Sequence, residues 1–194
     1  MELTIRSALP RDIPHLAYIW MEATGGLIEA LYEGAIPGRQ TNEIVEHVFS
    51  RTGTTGCYSN AIVAEEDGKV LGGLHAYPEE EEAANPPDPL IDESRLEFVM
   101  PFVELHPTGS YYIFGIALYP EARNRGIARR LLDQAESNAK SRELRRVSLH
   151  VFEKNAVALS LYRHLGYEEA DRRPSVVHPC LRYDGDVLLM SKTL

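Results

Sequence analysis

Tyr111-Tyr112-Ile113-Phe114-Gly115-Ile116-Ala117-Leu118 is followed, four residues later, by Arg123-Asn124-Arg125-Gly126-Ile127-Ala128. The first stretch is nearly continuous in apolar residues, the pattern of a strand covered on both faces. The second opens a helical pattern over 127–141, with Ile127, Leu131, Leu132, Ala135 and Ala139 along one side. A strand that breaks into a glycine-containing, arginine-rich turn and then a helix is a place for phosphate. The turn's N–H groups and the helix N-terminus point the same way, and the helix dipole there carries about half a positive charge. Gly126 lets the backbone approach an anion without a Cβ in between. Arg123, Arg125 and Arg129 can add charge-assisted hydrogen bonds.

The surrounding pattern extends this strand–turn–helix unit. Arg146 to Val151 reads as a strand with Val147, Leu149 and Val151 on one face. Asn155 to Leu165 reads as a short helix, with Asn155 suited to the N-cap and Gly166 to the position after the C-cap. Tyr167 to Ala170 and Val187 to Lys192 give two last strands, joined by an Arg- and Pro-rich loop, Asp171 to Asp186. Towards the N-terminus, Leu3 to Ser7 alternates as a strand. Pro10-Arg11-Asp12 then starts a helix with Ile13, Leu16, Ala17 and Trp20 at helical spacing. Helical pieces follow near Leu27–Tyr32 and Asn42–Arg51. Asn60–Glu65 and Lys69–Ala76 flank Glu66-Asp67-Gly68, a hairpin signal. Residues 78–94 combine Pro78, the glutamates Glu79 to Glu82 and Asn85-Pro86-Pro87-Asp88-Pro89, and read as an irregular acidic, proline-rich surface loop. Arg95 to Glu104 adds a helix or a strand.

The chain has 194 residues and 44% of them are apolar, enough for one domain with a sizeable core. Its net charge of −9 argues against general nucleic-acid binding and against an anionic membrane surface. The charge is uneven. Residues 123–146 hold eight Arg/Lys against three Asp/Glu, so a local +5 sits in a remainder of −14. A basic island in an acidic chain suggests one anionic ligand. The 2 cysteines, Cys57 and Cys180, form neither a disulfide framework nor a metal spacing. No apolar run approaches the ~18 residues of a membrane span, and the N-terminus lacks a signal-peptide core. A cytoplasmic protein is expected, with no metal.

The turn reads R-x-x-G-x-A. That resembles the pyrophosphate loop of the GNAT family of acetyl-CoA-dependent N-acyltransferases, whose pattern is Q/R-x-x-G-x-G/A. Asn155-Ala156-Val157-Ala158-Leu159-Ser160-Leu161-Tyr162 and Gly166-Tyr167 resemble the family's second motif, N-x-x-A-x-x-L-Y-x-x-x-G-F/Y. The distance between the motifs fits one helix plus one strand. The resemblance covers about residues 111–170. It implies an α+β fold built on a mixed, mostly antiparallel sheet of about seven strands flanked by helices, splayed between the fourth and fifth. Residues 1–194 would then form one acetyltransferase domain. It also implies acetyl-CoA as cosubstrate, with Ile116, Ala117 and Leu118 along the pantetheine arm and Arg123, Asn124, Arg125, Gly126, Ile127, Ala128 and Arg129 at the pyrophosphate. Asn155 and Tyr162 complete the donor site, and Tyr162 becomes the general acid at the thioester sulfur.

The general base is left open. Glu104 is the first candidate and His106, His75 and His178 follow. Cys180 as a covalent nucleophile has no supporting signature. The acceptor is a small-molecule or peptide amine, and the acid excess favours a cationic one; the Glu79–Glu82 run either lines its approach or is a solvated loop. A homodimer is compatible with the sequence. The reading from a different class is a non-catalytic sensor or interaction module that keeps a CoA or phosphate site.

Overall fold

The computed structural model describes residues 2–194. The strands are β1 (Leu3–Ser7), β2 (Ala61–Glu66), β3 (Lys69–Pro78), β4 (Tyr111–Leu118), β5 (Arg146–Phe152), β6 (Glu168–Pro174) and β7 (Asp186–Thr193). The helices are α1 (Ile13–Ala23), α2 (Leu27–Tyr32), α3 (Thr41–Ser50), α4 (Met100–Glu104), α5 (Ile127–Ser141) and α6 (Ala156–His164). One seven-stranded sheet runs in the order β1-β2-β3-β4-β5-β7-β6. Among the described residues β4 and β5 are its parallel pair, and every other neighbouring pair is antiparallel.

Side-chain alternation along the strands divides the interior. Tyr111 and Ile113 of β4 and Val147, Leu149 and Val151 of β5 face α5 and α6. The α5 stripe read from the sequence, Ile127, Leu131, Leu132, Ala135 and Ala139, is wholly buried there. The opposite face packs against α1, α2 and α3 through Leu16, Ile19, Trp20, Ile28, Ile44 and Phe49. A smaller cluster of Leu105, Phe152, Val187 and Leu189 continues that face under α4.

Two departures from a regular sheet shape its centre. The β3–β4 register shifts between His75 and Ala76, so Phe114 bulges without a partner on β3. More consequentially, β4 pairs with β5 only at Tyr111↔Val147, Tyr112↔Ser148 and Ile113↔Leu149. Beyond Ile113 the two strands part, which is the splay expected between the fourth and fifth strands.

Three expectations need correction. β6 continues to Pro174, past the strand end read at Ala170. It is an exposed edge strand with charges on both faces, so it carries no alternation to read. Residues 78–94 are not irregular throughout. Glu79–Ala84 form a 3-10 helix, and Glu79 is buried, with its Oε1 2.8 Å from His106 Nε2. Glu82 accepts a hydrogen bond from the Tyr77 hydroxyl at 2.9 Å. Arg95–Glu104 divides into a 3-10 helix over Glu93–Phe98 and the short α4.

The segment between β6 and β7 folds back over the α1–α2 turn. Gly26 adopts φ 98°, and a Cβ there would sit 1.8 Å from the Cys180 carbonyl oxygen. Arg182 N–H donates to Gly25 O at 2.8 Å beside it. Gly26→Ala should therefore lower stability by about 1–3 kcal/mol, through overpacking and a strained left-handed backbone. Urea unfolding with an unchanged midpoint would contradict this contact.

His75 sits on β3 and is fully enclosed. Its Nδ1 accepts from Trp20 Nε1 at 3.2 Å, so its Nε2 carries the proton and donates to Thr55 O at 2.8 Å. Burial pushes its pKa down to about 4. In the unfolded chain the value is ~6.5, so between these values the unfolded state binds the extra proton and stability falls as pH falls. Thermal midpoints measured from pH 7 to 4 should drop, and less steeply in His75→Gln; parallel profiles would remove His75 from that dependence.

Candidate functional site

The turn after β4 is built from left-handed residues. Asn124 has φ 59° and Gly126 φ 74°. Gly126 is the N-cap of α5, and a Cβ added to it would meet no described atom within 4 Å. The chain coils in this way because a single 3-10 turn, Pro120–Ala122, ends β4 and the left-handed residues then swing the backbone into α5. Among the described residues, the backbone N–H groups of Asn124 to Arg129 have no hydrogen-bond partner. They are the free first-turn donors of α5 and the turn ahead of it. Unpartnered amides, a helix N-terminus and open space over a glycine make a receptacle for a polyanion.

The arginines are placed less simply than the sequence suggests. Arg125 forms a two-pronged pair with Glu66 at 2.8 and 2.9 Å. Arg123 lies across the end of β4, its Nε 3.4 Å from Leu118 O and its Nη2 3.3 Å from Glu22. Arg129 stands 3.9 Å from Asp133 one turn along the helix. Each thus has a carboxylate partner, and an incoming anion would compete for it.

Ile116, Ala117 and Leu118 form the half-buried end of β4, where the edge towards β5 is unpaired. Their side chains divide between the two cores, Ile116 and Leu118 towards α5 and Ala117 towards α1. Asn155 caps α6, its side chain accepting from Ala158 N–H at 3.3 Å. Tyr162, seven residues on, is buried against the core beside Tyr167. Its hydroxyl has no partner among the described residues, and burial raises its pKa, so it holds its proton.

Glu104 lies exposed at the end of α4, 3.6 Å from Arg173 of β6. His106 is committed to Glu79. His178 Nδ1 accepts from Cys180 N–H at 3.2 Å. Burial and then Glu33, 3.6 Å from the sulfur, push the Cys180 thiol up, away from the thiolate a nucleophile requires.

One pair escaped the sequence reading. His150 is the first β5 residue beyond the last pairing with β4, so it stands where the strands part. Its Nε2 is 2.9 Å from Leu105 O, to which only an N–H can be offered, leaving Nδ1 to accept from the Tyr112 hydroxyl at 2.9 Å. Burial pushes the His150 pKa down to about 4 and raises that of Tyr112. The available signal was its place in alternation: Val147, Leu149 and Val151 share one core face, which turns His150 into the other. Among the described residues, no group of three or more metal-ligating side chains is gathered anywhere, and no helix is long and apolar enough to cross a membrane.

Comparison with known proteins agrees with this geometry. The chain is 36% identical over 66 residues to an uncharacterised N-acetyltransferase of Bacillus subtilis, covering 34% of this chain and 42% of that one. It thus spans about two fifths of the length of that curated relative. An N-acetyltransferase from Staphylococcus aureus shares the fold with a TM-score of 0.70 at 21% identity, over 97% of this chain and all of the other. The PaiA N-acetyltransferase of Thermoplasma acidophilum, solved in complex with coenzyme A, superposes with a TM-score of 0.59 at 19% identity over the whole of both chains. The profile of the acetyltransferase (GNAT) family matches residues 28–167, from α2 to the start of β6. On that match, with a parallel pair that parts above a left-handed turn, the chain belongs to the GNAT acetyltransferase family.

Proposed function

We propose that this protein transfers an acetyl group from acetyl-CoA to a primary amine, by direct attack while both substrates are bound. The observation that carries the reading is the row of free amides from Asn124 to Arg129 under the open space at Gly126. That row matches a diphosphate in charge, donor count and access. The unpaired edge of β4 from Phe114 to Leu118 leads from there to the parting of the strands, and offers backbone groups to an amide-containing arm. Acetyl-CoA, where bound, supplies the activated acyl group; the chain supplies position and proton transfer.

The amine nitrogen attacks the thioester carbonyl, the C–S bond breaks, and an amide and a thiol result. An alkylamine of pKa ~10.4 must first lose a proton. We place that task on the Tyr112–His150 pair, which stands where β4 and β5 part. Nδ1 of His150 accepts from the Tyr112 hydroxyl at 2.9 Å, which gives a proton leaving the amine a hydrogen-bonded route through the tyrosine oxygen to the ring, while burial lowers the basicity of that ring and works against the transfer. At the leaving sulfur, Tyr162 offers a proton that burial has kept on its oxygen. The acid excess outside residues 123–146 favours a cationic acceptor, either a small amine or a peptide N-terminus. Both cysteines are free thiols, in keeping with work in the cytoplasm.

Titrating coenzyme A against thermal unfolding, followed by thiol release over a panel of amines, tests the proposal. Stabilisation without turnover on any amine would favour a binding module. Gly126→Glu should weaken coenzyme A by tenfold or more, because a carboxylate then fills the open space and meets the diphosphate. Unchanged affinity would remove the turn from the site. Tyr162→Phe and His150→Gln should each lower turnover by about 100-fold while changing coenzyme A affinity little. A variant that kept its full rate would exclude that residue from the proton transfers.

A further inference from the structure

Glu22, near the end of α1, stands between two arginines that belong to different parts of the site. Its Oε2 is 3.3 Å from Nη2 of Arg123, the first residue of the anion-binding turn. Its Oε1 is 3.2 Å from Nη1 of Arg182, in the segment joining β6 to β7. Arg182 also reaches Met21 O at 3.1 Å and Glu29 Oε1 at 3.4 Å, while Glu29 Oε2 is enclosed without a partner. The same segment is seated on the α1–α2 turn by the Arg182 N–H bond to Gly25 O and by the Cys180 carbonyl over Gly26. One carboxylate therefore holds a side chain of the donor turn and the fastening of a strap on the other face.

We propose that Glu22 is a positioning residue that links donor binding to closure of the 175–185 strap. The inference rests on the donor site proposed above. With no donor bound, Glu22 divides its two oxygens between Arg123 and Arg182 and holds the Arg123 guanidinium at the end of β4. A diphosphate on the free amides competes for Arg123, with two charges against one and with planar oxygen pairs that suit a guanidinium. The Glu22 carboxylate so released turns wholly to Arg182, which tightens the strap over Gly25 and Gly26. The reverse also holds: whatever loosens Arg182 leaves Glu22 free to grip Arg123 harder and opposes the donor, because linkage is reciprocal.

Substituting the carboxylate itself and substituting its Arg182 partner should shift donor affinity in opposite directions. By calorimetry with coenzyme A, Glu22→Gln should bind about three- to fivefold tighter than wild type, the worth of one half-exposed ion pair. Arg182→Gln should bind about twofold weaker. Simple loss of charge at a distance would give the same signs, so the double variant decides. In the Glu22→Gln background the Arg182 substitution should change nothing, whereas independent charge effects would add. Equal coenzyme A affinity in Glu22→Gln and wild type, or an Arg182 effect of the same size in both backgrounds, would overturn the coupling and leave the donor site standing. Failure of the wild type to bind coenzyme A would instead remove the donor site, and the coupling with it. Thermal unfolding of each variant separates these results from loss of fold.

Discussion

Three residue pairs join β4 to β5, and the sheet depends on where they stop. A parallel pair that continued to Leu118 would bury its backbone groups in a ladder and close the middle of the molecule. Ending at Ile113↔Leu149 leaves one edge of β4 unpaired inside a covered sheet. Unpaired backbone in such a place is costly unless something hydrogen-bonds to it. The parting is stable because cores on the two faces hold the strands separately. Tyr111, Ile113 and Leu149 are gripped under α5, whereas Trp20 packs from α1 against Phe114 at a tilt, with centroids 4.5 Å apart. The fold thus keeps a row of backbone donors and acceptors unpaired along β4, which the proposed function gives to the amide-containing arm of the donor.

In the proposed donor site, electrostatics would place the ligand's other end. The three arginines at the turn, Arg123, Arg125 and Arg129, are not free charge. Glu66, Glu22 and Asp133 each partner an arginine of the turn. The backbone N–H groups from Asn124 to Arg129, by contrast, have no hydrogen-bond partner among the described residues. Affinity for a diphosphate should accordingly come first from main chain and helix dipole, with the arginines contributing only the difference between one anionic partner and another. An acidic protein can in this way hold a polyanion without becoming a general binder of nucleic acids.

How much of this was legible in the sequence follows from the physics of each element. β4, α5 and β5 were readable because one pattern, a continuous apolar run or a stripe, coincides with burial. The turn was readable because glycine at a left-handed N-cap leaves a mark in the sequence. The far end of β6, from Asp171 to Pro174, was not, since an exposed edge strand has no inner face to pattern. Nor was the burial of Glu79, which depends on His106, twenty-seven residues away in the chain. Tyr112 and His150 were hidden for a related reason. Each looks like an ordinary member of its own strand, and only the register of two distant strands makes them neighbours at 2.9 Å. Glu104 drew attention because it precedes β4 in sequence, yet α4 carries it to β6.

Two histidines, the enclosed His75 and the partly buried His150, lie on one sheet face, and their partners give them different chemistry. Each uses Nε2 to donate to a loop carbonyl, Thr55 O for His75 and Leu105 O for His150. Each is driven by burial to a pKa of about 4. They differ at Nδ1. His75 faces the Trp20 indole, which can only donate, so a proton arriving on Nδ1 would set two N–H groups against each other. His150 faces a tyrosine hydroxyl, whose oxygen can give a proton or accept a hydrogen bond with little movement. The same protonation therefore breaks a contact in one case and reverses it in the other. That asymmetry, together with the position of His150 at the parting of β4 and β5, assigns His75 to the fold and His150 to the proposed proton path.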